Sequence, residues 1–119
     1  GVGSVRWFMA GVGYGEDKGI MAWGASNDPP NYNISNLVSN TGVIANDTAG
    51  VGTARHYVSA SSYGGDKAAF AFSTGAPDGP TVKMNTKNLV SSSGVISSDV
   101  TGVGTARSNA TGVGYSFSA

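Results

Sequence analysis

The chain repeats itself, and no other feature constrains its fold as strongly. The phrase GVGTAR occurs at residues 50–55 and again at residues 102–107, and the chain opens on the related phrase GVGSVR. Self-similarity at a nearly fixed period indicates one supersecondary unit stacked on copies of itself. We therefore divide the chain into a first repeat, residues 1–54, a second repeat, residues 55–106, and a partial third repeat, residues 107–119.

Each repeat predicts short strands joined by tight turns. In the second repeat, residues 55–63 favour a strand and have no helical period, and the Gly-rich residues 64–67 are typical of a hairpin turn. Further strands are predicted at residues 67–72, 81–85 and 95–97. Four short strands in about 50 residues is the size of a propeller blade.

The expected fold is therefore all-β and β-propeller-like. It comprises two four-stranded antiparallel blades plus an extra strand, the first strand of the third repeat. Two blades cannot close a propeller, which usually has about four to eight. A β-solenoid or a fibre of stacked hairpins is the alternative architecture.

The second predicted strand alternates large and small residues. Phe70 and Phe72 alternate with alanines, and the first repeat has Met21 and Trp23 at the same two positions. Because side chains alternate across a strand, we expect both large residues to share one face. A bulky face of this kind suits stacking on the slim face of a neighbouring sheet.

Charge and composition exclude several classes of partner. Seven basic and seven acidic residues give a formal net charge of zero, so no footprint for nucleic acid or an anionic membrane is visible. Without cysteine, zinc–thiolate sites and thiol nucleophiles are excluded, and the apolar runs are far shorter than a membrane span. We expect no nucleic-acid partner, no membrane insertion and no cofactor.

The order of motifs resembles the kelch-type blade of β-propellers. An arginine opens a strand, a Tyr-Gly-x-Asp-Lys turn follows at residues 14–18 and 63–67, an aromatic-rich second strand comes next, and a loop and two more strands lead back to arginine. Two kelch features are absent: Gly24-Ala25 and Ser73-Thr74 stand where the double glycine belongs, and the fourth strand has no tryptophan.

A second resemblance concerns the repeated phrases themselves. The Tyr-Gly-x-Asp-Lys turns, NLVSNTGVI at residues 36–44 and DTAGVGTAR at residues 47–55 are similar to tandem repeats of structural proteins of marine bacteriophages, often tail-fibre-like. This resemblance implies a structural role in a virion.

One arginine recurs in each repeat, as Arg6, Arg55 and Arg107. A ring of guanidiniums around a channel could bind carboxylate or phosphate, whereas a structural arginine would bond backbone carbonyls or a loop aspartate of the neighbouring blade. Recurrence favours the structural role, because framework residues repeat while a binding site usually breaks the symmetry. Asp17 and Asp66, which precede lysines, are likewise expected to form turns.

Catalysis is not expected. His56 is the only histidine, and no cluster of metal-ligating residues surrounds it in the sequence. Trp7 and Ser108 hold its position in the other repeats, so we interpret it as an ordinary strand residue. No recurring nucleophile or acid–base constellation is present.

A binding surface would be expected in the loop whose length differs between repeats, residues 25–33 and 74–80, because loops on a rigid scaffold carry specificity. Aromatic rings near Asn and Asp can stack on sugars. The candidates are Asn27, Asp28, Tyr32 and Asp78. They define the alternative function, a lectin-like carbohydrate-binding propeller module with a surface glycan as its partner.

The sequence thus predicts a non-enzymatic structural or assembly module of a virion, such as a phage tail or fibre. Each outer face would expose large apolar residues, which favours association. We expect the partner to be a second copy of the chain in a homo-oligomer, or further repeats of a longer chain. The expected location is a virion or the extracellular space.

Overall fold

The protein is all-β, as predicted. The structure, a computed structural model, describes residues 1–27, 31–75 and 82–114, and these contain no helix. Six strands form two antiparallel sheets of three strands each, with orders β1-β2-β3 and β4-β5-β6. The strands are β1 (Ala10–Tyr14), β2 (Lys18–Gly24), β3 (Tyr32–Val38), β4 (Ser59–Tyr63), β5 (Lys67–Thr74) and β6 (Lys83–Val90).

Each sheet begins with a tight hairpin at the Tyr-Gly-x-Asp-Lys sequence. Tyr14 pairs with Lys18, and Tyr63 pairs with Lys67, so three residues form each turn. The turns require left-handed backbone: φ is 57° at Gly15 and 63° at Gly64. Glycine adopts this conformation at little cost, which explains why it stands at the first position of both turns.

The described part of each repeat forms three strands, whereas four were predicted. The segments expected as fourth strands make only isolated bridges, in which Val38 pairs with Ile44 and Val90 pairs with Ile96. The hydroxyl oxygen of Ser91 accepts hydrogen bonds from the backbone N–H of residues 93 and 95, which bends the chain immediately after β6. The expected strand of the third repeat is not formed over residues 107–114, and residues 115–119 lie outside the described chain.

Bulges in β2 and β5 overturn the predicted alternation of faces. Trp23 and Phe72 have φ of 58° and 53°, and the pairing register shifts at both residues. An inserted residue of this kind redirects the side chains of a strand. Phe70 consequently packs against Trp23 of the other sheet, with ring centroids 4.9 Å apart, whereas Phe72 points to the opposite side, towards Arg107. The expectation that Phe70 and Phe72 share a face, or that Met21 and Trp23 do, was wrong.

The two sheets stack in the same sense, with the front of one on the rear of the next. In β2, Ile20 and Ala22 are buried, whereas in β5 the buried residues are Ala68 and Phe70. Phe70 has the same position in the second repeat as Met21 has in the first, and Met21 is only half-buried. The two sheets therefore bury opposite faces. We call the face of a repeat towards the following repeat its front face, and the face towards the preceding repeat its rear face.

The hydrophobic core lies between the two sheets and draws on both repeats. Its largest fully buried apolar side chains are Trp23 and Phe70. The other buried members of the same cluster are Tyr14, Ile20, Ala22, Val58, Ala68, Val90 and Ile96. Because neither repeat encloses this cluster alone, the interface between repeats is the core of the protein.

Candidate functional site

Arg55 is the centre of a polar cluster that closes the second repeat on itself. Its guanidinium donates to the side-chain oxygen of Asn88 and to the carbonyl of Thr53, and lies 3.5 Å from a carboxylate oxygen of Asp99. Asp99 also accepts hydrogen bonds from the backbone N–H and the hydroxyl of Thr53, at 3.0 and 2.7 Å. The cluster thus joins the start of the repeat to its third strand and to its last loop.

The first repeat contains the same cluster. Arg6 donates to Asn36 and lies 3.6 Å from Asp47, which accepts two hydrogen bonds from Ser4. Each of these two arginines thus contacts a backbone carbonyl and a loop aspartate, although the aspartate is not the one that the sequence suggested. The aspartate belongs to the same repeat as its arginine, not to the neighbouring one.

The electrostatics of the cluster keep its members charged. Burial alone would raise the pKa of Asp99, but hydrogen bonds from Thr53 and Asn88 and the charge of Arg55 outweigh it and hold that pKa below its usual value. Burial lowers the pKa of Arg55 to about 10, against the opposing effect of Asp99. At neutral pH the pair is therefore an ion pair in which the arginine is fully buried.

Hydrogen bonds from Ser4 and Asn36 likewise hold the pKa of Asp47 below its usual value. In both clusters the Nε atom of the arginine is buried without an acceptor among the described residues. Each guanidinium is thus held through its terminal nitrogens.

The cluster of the second repeat is also joined to the first repeat, through Trp23. The guanidinium of Arg55 lies 4.2 Å from the centre of the Trp23 ring, and the indole N–H donates to the carbonyl of Thr53 at 3.1 Å. A cation stacked on an aromatic face gains electrostatic attraction. The arginine thus connects its own repeat with the bulge of the preceding one.

The third arginine keeps only part of this arrangement. Arg107 lies 3.5 Å from the centre of the Phe72 ring, as Arg55 does over Trp23. Its side chain is exposed, and among the described residues no carboxylate lies within ion-pair distance. The three arginines therefore share one repeat position, but Arg6 and Arg55 are buried in a polar cluster whereas Arg107 is exposed.

The sequence analysis missed the partners of the arginines. Asn36 and Asn88 are buried, and each donates to the aspartate of its cluster at 2.9 Å. A second pair, Asn33 and Asn85, donates to the carbonyl oxygens of the GVG phrases at 2.8 Å. A signal was present, because all of these residues recur at the spacing of the repeat.

Asp17 and Asp66 each lie in one of the two hairpin turns. Asp17 accepts hydrogen bonds from the lysine that follows it and from Asn40, at 2.9 and 2.8 Å. Asp66 accepts a hydrogen bond from Lys67 at 2.9 Å. These carboxylates are bound locally and do not converge on a common site.

Two of the four loop candidates for carbohydrate binding lie within the described residues. Asn27 is exposed, and Tyr32 is half-buried at the start of β3. Asp28 and Asp78 lie outside the described residues. Their grouping into a sugar site stays a prediction.

His56 lies in the interface between repeats. It forms a bridge with Thr74, and its Nδ1 atom is hydrogen-bonded to the side-chain oxygen of Asn31. Burial lowers the pKa of His56 below its usual value. The side chain is thus a packed, uncharged element of the interface at neutral pH.

The described residues contain no group of three or more His, Cys, Asp or Glu residues that could hold a metal ion. Within residues 1–27, 31–75 and 82–114, no helix is long and apolar enough to cross a membrane. A scan against models of known protein families found no match, and a search of curated proteins found no similar sequence.

Proposed function

We propose that the chain is a non-enzymatic structural module that stacks on further repeats in a larger assembly, such as a phage tail or fibre. One observation carries this proposal: the polar side chains that recur with the repeat are used to hold repeats in shape and to join them. Arg55, Asn88 and Asp99 bond one another, and Arg55 stacks on the preceding repeat. Side chains engaged in this way are not free to act on a substrate.

The packing of the sheets supports a propeller-like arrangement for the larger assembly. The two three-stranded antiparallel sheets stack front to rear through a shared apolar core. Stacking of successive sheets in the same sense builds both propellers, in which the sheets form a ring, and solenoids, in which they form a line. The kelch-like order of motifs favours a ring, whereas a fibre of stacked hairpins would use the same contacts.

The assignment to a virion depends on the phage-like phrases NLVSNTGVI and DTAGVGTAR. In the structure these phrases contain Asn36, Asp47 and Arg55, which belong to the two clusters. The residues that carry the resemblance are thus the residues that hold the repeats. In a structural protein built from repeats, every repeat needs contacts of this kind.

The proposal is tested by locating the chain in particles. Antibodies raised against it are applied to purified phage from the source, with gold labelling read by electron microscopy and with antibody pre-adsorbed on the chain as control. We expect label on the tail or its fibres, and peptides of the chain in mass spectra of the washed particles. Particles that lack both the label and the peptides would overturn the assignment.

A further inference from the structure

We propose that the rear face of the first repeat docks on the front face of the second repeat of another copy of this chain, so that copies assemble head to tail. The inference builds on the proposed structural function and names the partner and the two surfaces. The rear face consists of Trp7, Met9, Met21 and Ile44. The front face consists of Ser59, Ser61, Ala69, Ala71 and Phe72.

The rear face is apolar and uncovered, as a comparison with its counterpart shows. Ile96 of the second repeat is 9% exposed because it packs on the first repeat, whereas Ile44, at the same repeat position, is 40% exposed. His56 is 9% exposed and its counterpart Trp7 is 41% exposed. Each position is buried where a preceding repeat is present and open where none is.

Two further positions follow the same rule. Val58 is buried in the interface, whereas its counterpart Met9 is exposed. Phe70 is fully buried, whereas Met21 is half-buried. The rear face of the first repeat therefore has the composition of an interface, with large apolar side chains where the second repeat has buried ones.

The front face of the second repeat is already occupied by a short segment, residues 102–114. The hydroxyls of Ser59 and Ser61 donate to the carbonyls of Ala110 and Val113, both at 2.6 Å. Arg107 covers Phe72. The segment is exposed over most of its length and forms no strand. It therefore covers the front face of the second repeat less completely than the second sheet covers the front face of the first repeat.

This segment holds the place of the first residues of a following repeat. Its residue Asn109 has φ of 56°, as Phe8 and Tyr57 have 56° and 52° at the same repeat position. Its sequence GVGTAR corresponds to GVGSVR at the start of the chain, and GVG at residues 112–114 corresponds to GVG at residues 11–13. The front face of the second repeat thus binds a segment whose sequence resembles that of the first residues of the first repeat.

The segment approaches β4 closely at Gly112. A Cβ at this residue would clash with the carbonyl oxygen of Ala60, so the close approach requires glycine there. The counterpart in the first repeat, Gly11, meets nothing closer than 3.5 Å and lies on the rear side of its sheet. The same repeat position is Ala60 in the second repeat, whose rear face is covered, so a docked rear face also accepts a Cβ at this position.

Head-to-tail docking follows from these two surfaces. Residues 1–13 of a second copy replace residues 102–114 on the front face, and the remaining rear-face residues of its first repeat cover the rest of that face. The contact is heterologous, so it propagates into a ring if the rotation per copy closes and into a filament if it does not. The zero net charge of the chain does not oppose it.

The rear face is tested with two adjacent substitutions. Ile44→Asp places a carboxylate in the proposed contact, and we expect it to raise the dissociation constant for self-association at least about tenfold, measured by sedimentation. Val43→Asp is the matched control, because its counterpart Val95 stays 65% exposed although its repeat is covered. Equal effects of the two substitutions, with both variants folded by circular dichroism, would refute the docking face.

The front face is tested by releasing the segment that covers it. Gly112→Val cannot keep residue 112 against β4, so we expect tighter self-association than in the unmodified chain, and the double variant with Ile44→Asp should lose it again. Val113→Thr is the control, since Val113 is 83% exposed. Unmodified chain and Gly112→Val that both sediment as monomers at every concentration would overturn the proposal.

The outcomes separate this inference from the proposed function. Label on virions combined with a monomeric chain would retain the structural module and reject the second copy as its partner. Self-association that follows the predicted pattern, without label on virions, would retain the docking and reject the virion.

Discussion

At the scale of the residue, Arg55 shows how a buried charge is accommodated. The guanidinium is fully buried, yet Asn88, Asp99 and the Trp23 ring contact it on different sides. A buried charge is tolerated only when it is paired and hydrogen-bonded. Its counterpart Arg107 is exposed and has one aromatic contact, so the two arginines form a natural comparison.

We predict that Arg55→Ala lowers the free energy of unfolding by about 3 kcal/mol, because it leaves Asn88 and Asp99 without their partner. Arg107→Ala should cost less than about 1 kcal/mol, since the two contacts that are lost, the cation–π contact with Phe72 and a hydrogen bond to the carbonyl of Thr105, lie at an exposed site. Urea unfolding followed by circular dichroism measures both. Similar losses for the two variants would contradict the role given to the cluster.

The pKa of Asp99 makes stability depend on pH. Its folded-state pKa lies below its usual value, so its contribution is present above the pKa of the unfolded chain and is lost as pH falls through the folded-state pKa. We predict that Asp99→Asn destabilises the protein at neutral pH and that its deficit relative to the unmodified chain shrinks on acidification. A deficit that stays constant from neutral pH to about pH 2 would contradict this.

At the scale of the element, the bulges decide which side chains reach the core. Trp23 and Phe72 occupy equivalent bulge positions, and in both strands the residue at the bulge points to the front face. The bulge of the first repeat therefore supplies an aromatic ring to the next repeat. Since bulges are local features of backbone pairing, they are invisible in a pattern of large and small residues.

We predict that Phe70→Ala lowers the free energy of unfolding by about 3–5 kcal/mol, because Phe70 is fully buried against Trp23 and truncation leaves a cavity. Phe72→Ala should cost clearly less, because Phe72 is half-buried under the covering segment. Thermal and urea unfolding of the two variants provide the comparison. A loss at residue 72 as large as the loss at residue 70 would contradict the burial of Phe70 alone in the core.

At the scale of the whole molecule, the two repeats share one core. The core cluster includes side chains of both repeats, and the hairpin turns also touch, with the N–H of Gly15 donating to the carbonyl of Asp66 at 2.6 Å. The rear face of the first sheet is uncovered, and the front face of the second sheet is covered only by residues 102–114. We therefore expect the repeats to unfold together.

This cooperativity is measurable through Trp23. Trp7→Phe leaves the buried Trp23 as the single tryptophan. We predict that its fluorescence and the far-ultraviolet circular dichroism give the same midpoint in urea, because exposure of Trp23 requires separation of the repeats. Two distinct midpoints would mean that the sheets separate before they unfold.

The sequence by itself determined the repeat, the all-β class and the hairpins. Repetition of GVGTAR and of the Tyr-Gly-x-Asp-Lys turns sets the number of sheets and their first two strands, because turn chemistry is local and glycine reports left-handed backbone directly. The recurrence of arginine also indicated a structural role. These features require no knowledge of distant parts of the chain.

Only the tertiary structure decided the faces, the strand number and the partners. Whether Phe70 or Phe72 is buried depends on a bulge and on which sheet lies opposite, and whether Ile44 is open depends on the absence of a covering repeat. The contacts of Arg55 with Asn88 and Asp99 join residues 33 to 44 positions apart. Such contacts arise from packing between segments distant in the chain, which periodicity in a single strand does not encode.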